Sequence, residues 1–319
     1  MAPAGNFECL QAAIQGGADA VYFGIGRLNM RSHSANNFAP EDLQQVCDIC
    51  RANGVRSYLT LNITLYDEDL PAVRETLLAA RRSGVSAVIA SDIAAIAEAR
   101  RLGLEVHIST QLNISNIEAL RFYSQWADVV VLARELNLHQ VRAIREAIGR
   151  EGICGPSGRP VQIEMFCHGA LCMAVSGKCY LSLLEHNASA NRGECYQVCR
   201  RGYEVTDLDS GRKLLIDNQY IMSPKDLCTI EFLDKMAASG VTVFKSDTSF
   251  PSVLPETDWY ELDVITCAAP NLREHPSNSM NSGDGARRIQ LAPDELRRFH
   301  EKRLSRILDV AAANGEEAI

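Results

Sequence analysis

No run in this 319-residue chain approaches 18 consecutive apolar residues, which leaves no candidate for a membrane-spanning helix. The opening Met1-Ala-Pro-Ala-Gly has no basic stretch followed by an apolar core, so nothing there reads as a secretory signal. Positive charge is scarce too. The 32 Lys and Arg against 40 Asp and Glu give a net charge of −8, which argues against a broadly basic nucleic-acid surface and against a DNA partner. No Gly-x-Gly-x-x-Gly turn follows the first apolar run, which weakens a dinucleotide-binding reading. Neither Gly-x-Ser-x-Gly nor His-Glu-x-x-His occurs, and seven scattered His suggest no hydrolytic triad. The expectation is a cytoplasmic protein.

The chain is rich in cysteine instead, with 11 residues. Without export, these are expected as reduced thiols rather than as a disulfide framework. Cys9, Cys47, Cys50 and Cys154 read as filler. Cys47-Asp-Ile-Cys50 falls within a helical pattern, away from the helix N-terminus that a redox pair needs. Cys172, Cys179, Cys195 and Cys199 differ: they fall within 28 residues, separated by six, fifteen and three residues. Gly169, Gly177 and Gly193 surround them and let the backbone wrap a compact group. Structural zinc usually sits between two C-x-x-C knuckles, which these spacings fit badly. A [4Fe–4S] cluster also takes four thiolates and tolerates irregular spacing. Iron–sulfur ranks first, zinc second and no metal third. Cys167 and Cys228 are further thiols that could replace one ligand, and His168 reads as a donor behind the ligands or as a loop residue.

Short apolar runs alternate with helical patterns along most of the chain. A stub at Met1–Ala4 is followed by runs at 20–24, 58–62, 87–90, 106–109, 129–133, 162–166 and 241–244. Helices are expected near Pro40–Asn53, Asp69–Ser83 and Ile230–Ser239. Eight such strands with crossover helices predict a parallel α/β architecture, a (β/α)8 TIM-type barrel, clipped at its start. Chemistry in such a barrel belongs at the C-terminal ends of the strands. Arg31, Asn62, Gln111, Arg134 and Glu164 fall there and are the candidate catalytic or pocket residues. Ser91, Asp92 and Asn116 read as helix caps.

The segment Glu164-x-Phe166-x-x-Gly169-Ala-Leu-Cys172-x4-Gly177-x-Cys179-x-Leu-Ser182 resembles the signature of peptidase family U32, the collagenase-like proteases. Ala2-Pro-Ala-Gly-Asn-Phe-Glu8, Gly17-Ala-Asp-Ala-Val-Tyr-Phe-Gly24, Asn29-Met-Arg31, Ser109-Thr-Gln111, Asn191-Arg-Gly-x-Cys-x-x-x-Cys-Arg-Arg201 and Ser223-Pro-Lys-Asp-Leu227 are similar to that family as well. The resemblance covers about residues 1–245, with a cysteine-rich insertion at 164–201. It implies a barrel and a [4Fe–4S] cluster on Cys172, Cys179, Cys195 and Cys199. It also implies a role in hydroxylating a tRNA or rRNA base, or a small aromatic such as the ubiquinone ring. Prephenate is implied as the hydroxyl donor, and a protein of the same family as a partner. The family name implies peptidase activity as the alternative, and an inactive scaffold is the non-enzyme reading. Arg192, Arg200 and Arg201 would hold phosphates or a carboxylate, or would only support the thiols.

From about 242 to 316 the pattern changes. Asp263-Val-Ile-Thr-Cys-Ala-Ala-Pro-Asn-Leu-Arg273 and the stretch His300–Gly315 resemble the middle of a microbial poly(ADP-ribose) glycohydrolase-like macrodomain. Its Gly-rich loops are missing, so no ADP-ribose chemistry follows. The resemblance implies a junction near Lys245, a foreign α/β tail at 246–319 and a barrel without its usual last helix.

Overall fold

The computed structural model describes residues 1–247, apart from Arg31, 33–36, Leu171, Met173, 201–202 and 217–225. Residues 248–319 lie outside the described set, and with them the tail and any helix that follows the last strand.

The expected strands form, and they hydrogen-bond in chain order. β1 (Ala2–Pro3), β2 (Ala20–Phe23), β3 (Arg56–Leu61), β4 (Ala87–Ala90), β5 (Val106–Ile108), β6 (Val129–Val131) and β7 (Gln162–Ala170) pair as parallel neighbours. Two further strands, β8 (Tyr203–Thr206) and β9 (Lys213–Ile216), make a separate hairpin. β10 (Asp226–Cys228) runs antiparallel to the outer end of β7. β11 (Val243–Asp247) then lies parallel to β7. The sheet curls until the last strand meets the first: Met1 N donates to Phe244 O at 2.9 Å and Ser246 N to Met1 O at 3.0 Å.

Around the sheet run α1 (Phe7–Gln15), α2 (Leu43–Ala52), α3 (Leu70–Ser83), α4 (Ile93–Arg101), α5 (Ile117–Ser124), α6 (Leu138–Glu151) and α8 (Leu233–Ala238). The short α7 (Leu181–His186) lies in the cysteine segment. Sequence sets their limits. Asn6, Asp92, Asn116 and Asn137 each accept a backbone N–H of the first turn, while Gly84 and Gly152 end α3 and α6 in left-handed geometry. Asp92, not Ser91, is the cap of α4, and Asn116 caps α5 as its residue type predicts.

Strand parity separates two cores. Val21, Phe23, Leu59, Leu61, Val88, Val106, Ile108 and Val130 join the helix residues Leu10, Val46, Leu77 and Ile96 in the main apolar layer. The alternate residues Ala20, Tyr22, Tyr58, Ala87 and Ile89 form a small cluster of their own. That set extends in register to polar residues, because Thr60, Ile89, His107, Val129 and Gln162 are successive partners across β3 to β7. The barrel interior is therefore part aromatic and part charged.

The hairpin of β8 and β9 and the antiparallel β10 are strands that the barrel pattern does not anticipate. The hairpin's turn is local: Asp207 Oδ1 accepts from Asp209 N at 3.0 Å and Ser210 N at 3.3 Å, ahead of Gly211. β10 exists because β6 stops at Val131, leaving the far half of β7 with unpaired backbone groups that a third strand satisfies. Cys47 and Cys50 are buried in α2 and Cys9 packs on the core, as filler would. Cys154 is exposed and lies outside that reading.

Leu77 is fully buried between helix and sheet. Leu77→Ala is expected to lower stability by about 2–5 kcal/mol in denaturant unfolding, with the slope unchanged. A loss under about 1 kcal/mol would contradict its place in the helix–sheet core.

Candidate functional site

The charged part of the interior forms one column. Lys245 Nζ donates to Glu164 Oε1 at 3.0 Å, with both side chains buried. Glu164 Oε2 lies 3.8 Å from His107 Nδ1, and neither atom has a hydrogen-bond partner. The other ring nitrogen, His107 Nε2, meets Glu105 Oε1 at 3.0 Å, and Glu105 Oε2 accepts from Arg56 Nη2 at 2.9 Å. Aromatic rings line this column. Tyr58 packs on His107 at 4.6 Å between ring centres, and Lys245 Nζ sits 4.4 Å above the Tyr22 ring and 5.5 Å from that of Phe166. Burial raises the Glu105 carboxyl, but the hydrogen bonds with His107 and Arg56 and the Arg56 charge outweigh it and hold the group below its usual range. Burial pushes the Tyr58 phenol up to about 12.

Above this column, at the C-terminal mouth, the strand-end residues meet. Asn62 Nδ2 donates to Ser109 Oγ at 3.4 Å, and Asn62 Oδ1 accepts from Met30 N at 3.2 Å. Gln111 sits in the turn after β5, its backbone N–H on Ser109 Oγ and its Oε1 buried without a partner. Thr110 Oγ1, Asn113 Oδ1 and Arg134 Nε are likewise buried and unpaired.

The cysteine segment is clasped across this mouth. Arg134 Nη2 donates to Ala174 O at 3.1 Å and Ser176 Oγ at 2.8 Å, and Asn113 donates to Ser176 O. Asn191 Oδ1 accepts from Cys179 N at 3.3 Å, while its carbonyl accepts from Thr64 N at 2.9 Å. Arg192 Nη1 reaches buried Asp69 Oδ2 at 2.7 Å and Thr64 O at 2.9 Å, with its guanidinium 4.0 Å from the Tyr66 ring. Gly193 passes so close to Asn29 O and Ser32 Oγ that any side chain there would collide with them, and its φ of +91° suits glycine.

Of the residues picked from sequence, Asn62, Gln111 and Arg134 therefore converge at the mouth. Glu164 lies deeper, in the interior with Lys245. Arg31 falls outside the described residues, as do Arg201 and the side chain of Arg200. Arg192 is engaged by Asp69, Thr64 and Tyr66, so it supports the thiol segment and does not wait for a phosphate. His168 belongs to β7 and not to a loop. Cys167 also lies in β7, its thiol turned onto Lys245 O at 3.3 Å and pushed up to about 11 by burial; Cys228 is in β10. Arg56, Glu105, His107 and Lys245 were not found from sequence. The available signal was charge at inward parity on otherwise apolar strands.

The chemistry of the donor set fits a metal or cluster. None of Cys172, Cys179, Cys195 and Cys199 is in a disulfide, and four thiolates are donors that a metal or cluster takes. Among the described residues, no three His, Cys, Asp or Glu side chains are drawn together as a metal cage. No helix of the described residues is long and apolar enough to cross a membrane.

Fold and site define a curled parallel α/β barrel with a cysteine-bearing segment fastened over its C-terminal mouth. The chain belongs to peptidase family U32, whose model matches residues 5–252. It is 66% identical over 245 residues to a protein of Porphyromonas gingivalis named collagenase, covering 77% of this chain and 59% of that one. It is 34% identical over 260 residues to tRNA hydroxylation protein P1 of Bacillus subtilis, covering 79% and 59%. It is 35% identical over 246 residues to the 23S rRNA 5-hydroxycytidine C2501 synthase of Escherichia coli, covering 77% and 35%. The chain thus spans less than two thirds of these relatives. The solved structure of the U32 peptidase Mk0906 shares the fold, with a TM-score of 0.50 at 14% identity over 78% of this chain and 92% of that one.

The Arg192 hydrogen bond, aided by Tyr66 N and the Arg27 charge, holds the Asp69 carboxyl below the usual carboxylate range despite burial. A lowered folded value stabilises above the unfolded value, and the gain disappears as pH falls through the folded one. Arg192→Ala is expected to cost about 1–3 kcal/mol at pH 7 and progressively less below about pH 4, by denaturant unfolding at both pH values. A cost that does not change with pH would contradict the pair.

Proposed function

We propose that this chain acts in the hydroxylation of a tRNA or rRNA base, or of a related small aromatic, with a [4Fe–4S] cluster on Cys172, Cys179, Cys195 and Cys199. The observation that carries this reading is the clasp. Side chains from several strand-end loops hold a segment with four cysteines, none in a disulfide, over the mouth where a barrel does its chemistry. The RNA-hydroxylation names of two relatives at 34% and 35% identity support it. A bound cluster would supply one-electron chemistry at that mouth. The protein's own part is to bind and orient. Asn62, Ser109 and Gln111 offer hydrogen bonds to the edge of a flat polar ring, and Arg134 offers an unpaired buried Nε–H. Prephenate as hydroxyl donor, a partner of the same family and a cytoplasmic location complete the reading. Zinc on the same thiols is its inorganic alternative.

The second reading is peptidase action, favoured by the collagenase name of the relative at 66% identity. The interior offers it little: His107 faces two carboxylates, Glu105 and Glu164, and not a hydroxyl or thiol nucleophile.

Anaerobic purification is expected to yield about four iron and four acid-labile sulfide per chain, both lost in Cys179→Ala. Folded protein with neither element would overturn the cluster. Gelatin cleavage that survives iron removal would favour the peptidase reading.

A further inference from the structure

The interior column does more than neutralise charge. His107 is 1% exposed, and each of its ring nitrogens faces a carboxylate: Nε2 meets Glu105 at 3.0 Å and Nδ1 meets Glu164 at 3.8 Å. The two carboxylates differ in surroundings. Glu105 lies just before β5 at the N-terminal end of the barrel, 24% exposed beside Arg56, which is 34% exposed. Glu164 is 0% exposed and bound to Lys245, beneath the mouth. The second contact is unfinished, since His107 Nδ1 and Glu164 Oε2 are both buried, face each other and have no partner. A purely structural ion network would be expected to close that gap, because an unpaired buried polar atom costs about 1–3 kcal/mol. An imidazole between two carboxylates can also take a proton on one ring nitrogen and yield another from the opposite one.

We propose that Glu105, His107 and Glu164 form a proton relay along the barrel axis, linking solvent at the N-terminal end with the Glu164–Lys245 pair beneath the thiol segment. A proton arriving on Glu105 Oε1 passes to His107 Nε2, and the Nδ1–H bond of the same ring breaks as its proton moves to Glu164 Oε2. One N–H bond forms as another breaks, and an O–H on Glu105 is exchanged for one on Glu164. The ring changes tautomer, and the reverse transfer, from Glu164 Oε2 to Nδ1 and from Nε2 to Glu105 Oε1, restores it. The groups facing His107 are Glu105, Glu164 and the Tyr58 ring, with Arg56 behind Glu105 and Lys245 behind Glu164. No metal or cluster enters this step, so the relay stands or falls apart from the function proposed above.

The test is solvent exchange of the His107 ring N–H in the full chain labelled with 15N-histidine, measured by NMR. Exchange by opening of the barrel would give the ring N–H the same protection, relative to its own free exchange rate, as the amides of Val106 and Ile108 on the same strand. A relay instead gives the ring at least about tenfold less protection than those amides, without local unfolding. Glu105→Gln should raise the ring's protection by about tenfold or more. Ring protection equal to that of the neighbouring amides would overturn the proposal in the wild-type protein alone, even where Glu105→Gln fails to fold. A folded Glu105→Gln protein with unchanged exchange would overturn it as well.

Discussion

A carboxylate with no exposed surface must find a cation, and in this barrel the requirement ties distant strands together. Glu164 on β7 takes its partner from Lys245 on β11, and the same ammonium rests over the Tyr22 ring on β2. Desolvating the two ions separately would cost several kcal/mol each, so the charges are tolerable only where the ring of strands brings them together. The pair therefore depends on curling of the sheet and in turn favours it. β11 and Met1 complete the circle through backbone hydrogen bonds at the same place.

The two ends of the barrel then divide the work. At the C-terminal end, Arg134, Asn113, Asn191 and Arg192 hold the thiol segment on loops that rigid strands position. At the N-terminal end, Glu105 and Arg56 leave the charge column open to water. Between them lie His107 and Glu164, buried and 3.8 Å apart. Such a layout suits chemistry that consumes or releases protons at a mouth covered from above, since supply from below needs no gap in the cover.

Much of the barrel was legible in the sequence. β-branched runs such as Val106–Ile108 and Val129–Val131, with Gly84 and Gly152 at helix ends, specify buried parallel strands and where helices stop. Asn62, Gln111 and Arg134 were legible because strand-end polar residues in a barrel lie at one face. Lys245, His107 and Glu105 were not. Each sits in or beside a short apolar run, and only the register across seven strands reveals that they share the interior with Glu164. The clasp was equally hidden, because Asp69–Arg192 joins residues 123 apart. β10 escaped notice because its pairing is dictated by where β6 ends, not by its own composition.

The organising role of the Glu164–Lys245 pair is tested most directly by a double-mutant cycle on unfolding free energy, with Glu164→Gln, Lys245→Met and both together. Each single change leaves one buried charge unpaired and is expected to cost about 3–5 kcal/mol. The double variant should cost clearly less than the sum of the singles, leaving a coupling of about 1–3 kcal/mol. Strictly additive losses, or singles within about 0.5 kcal/mol of wild type, would contradict a barrel organised around this pair.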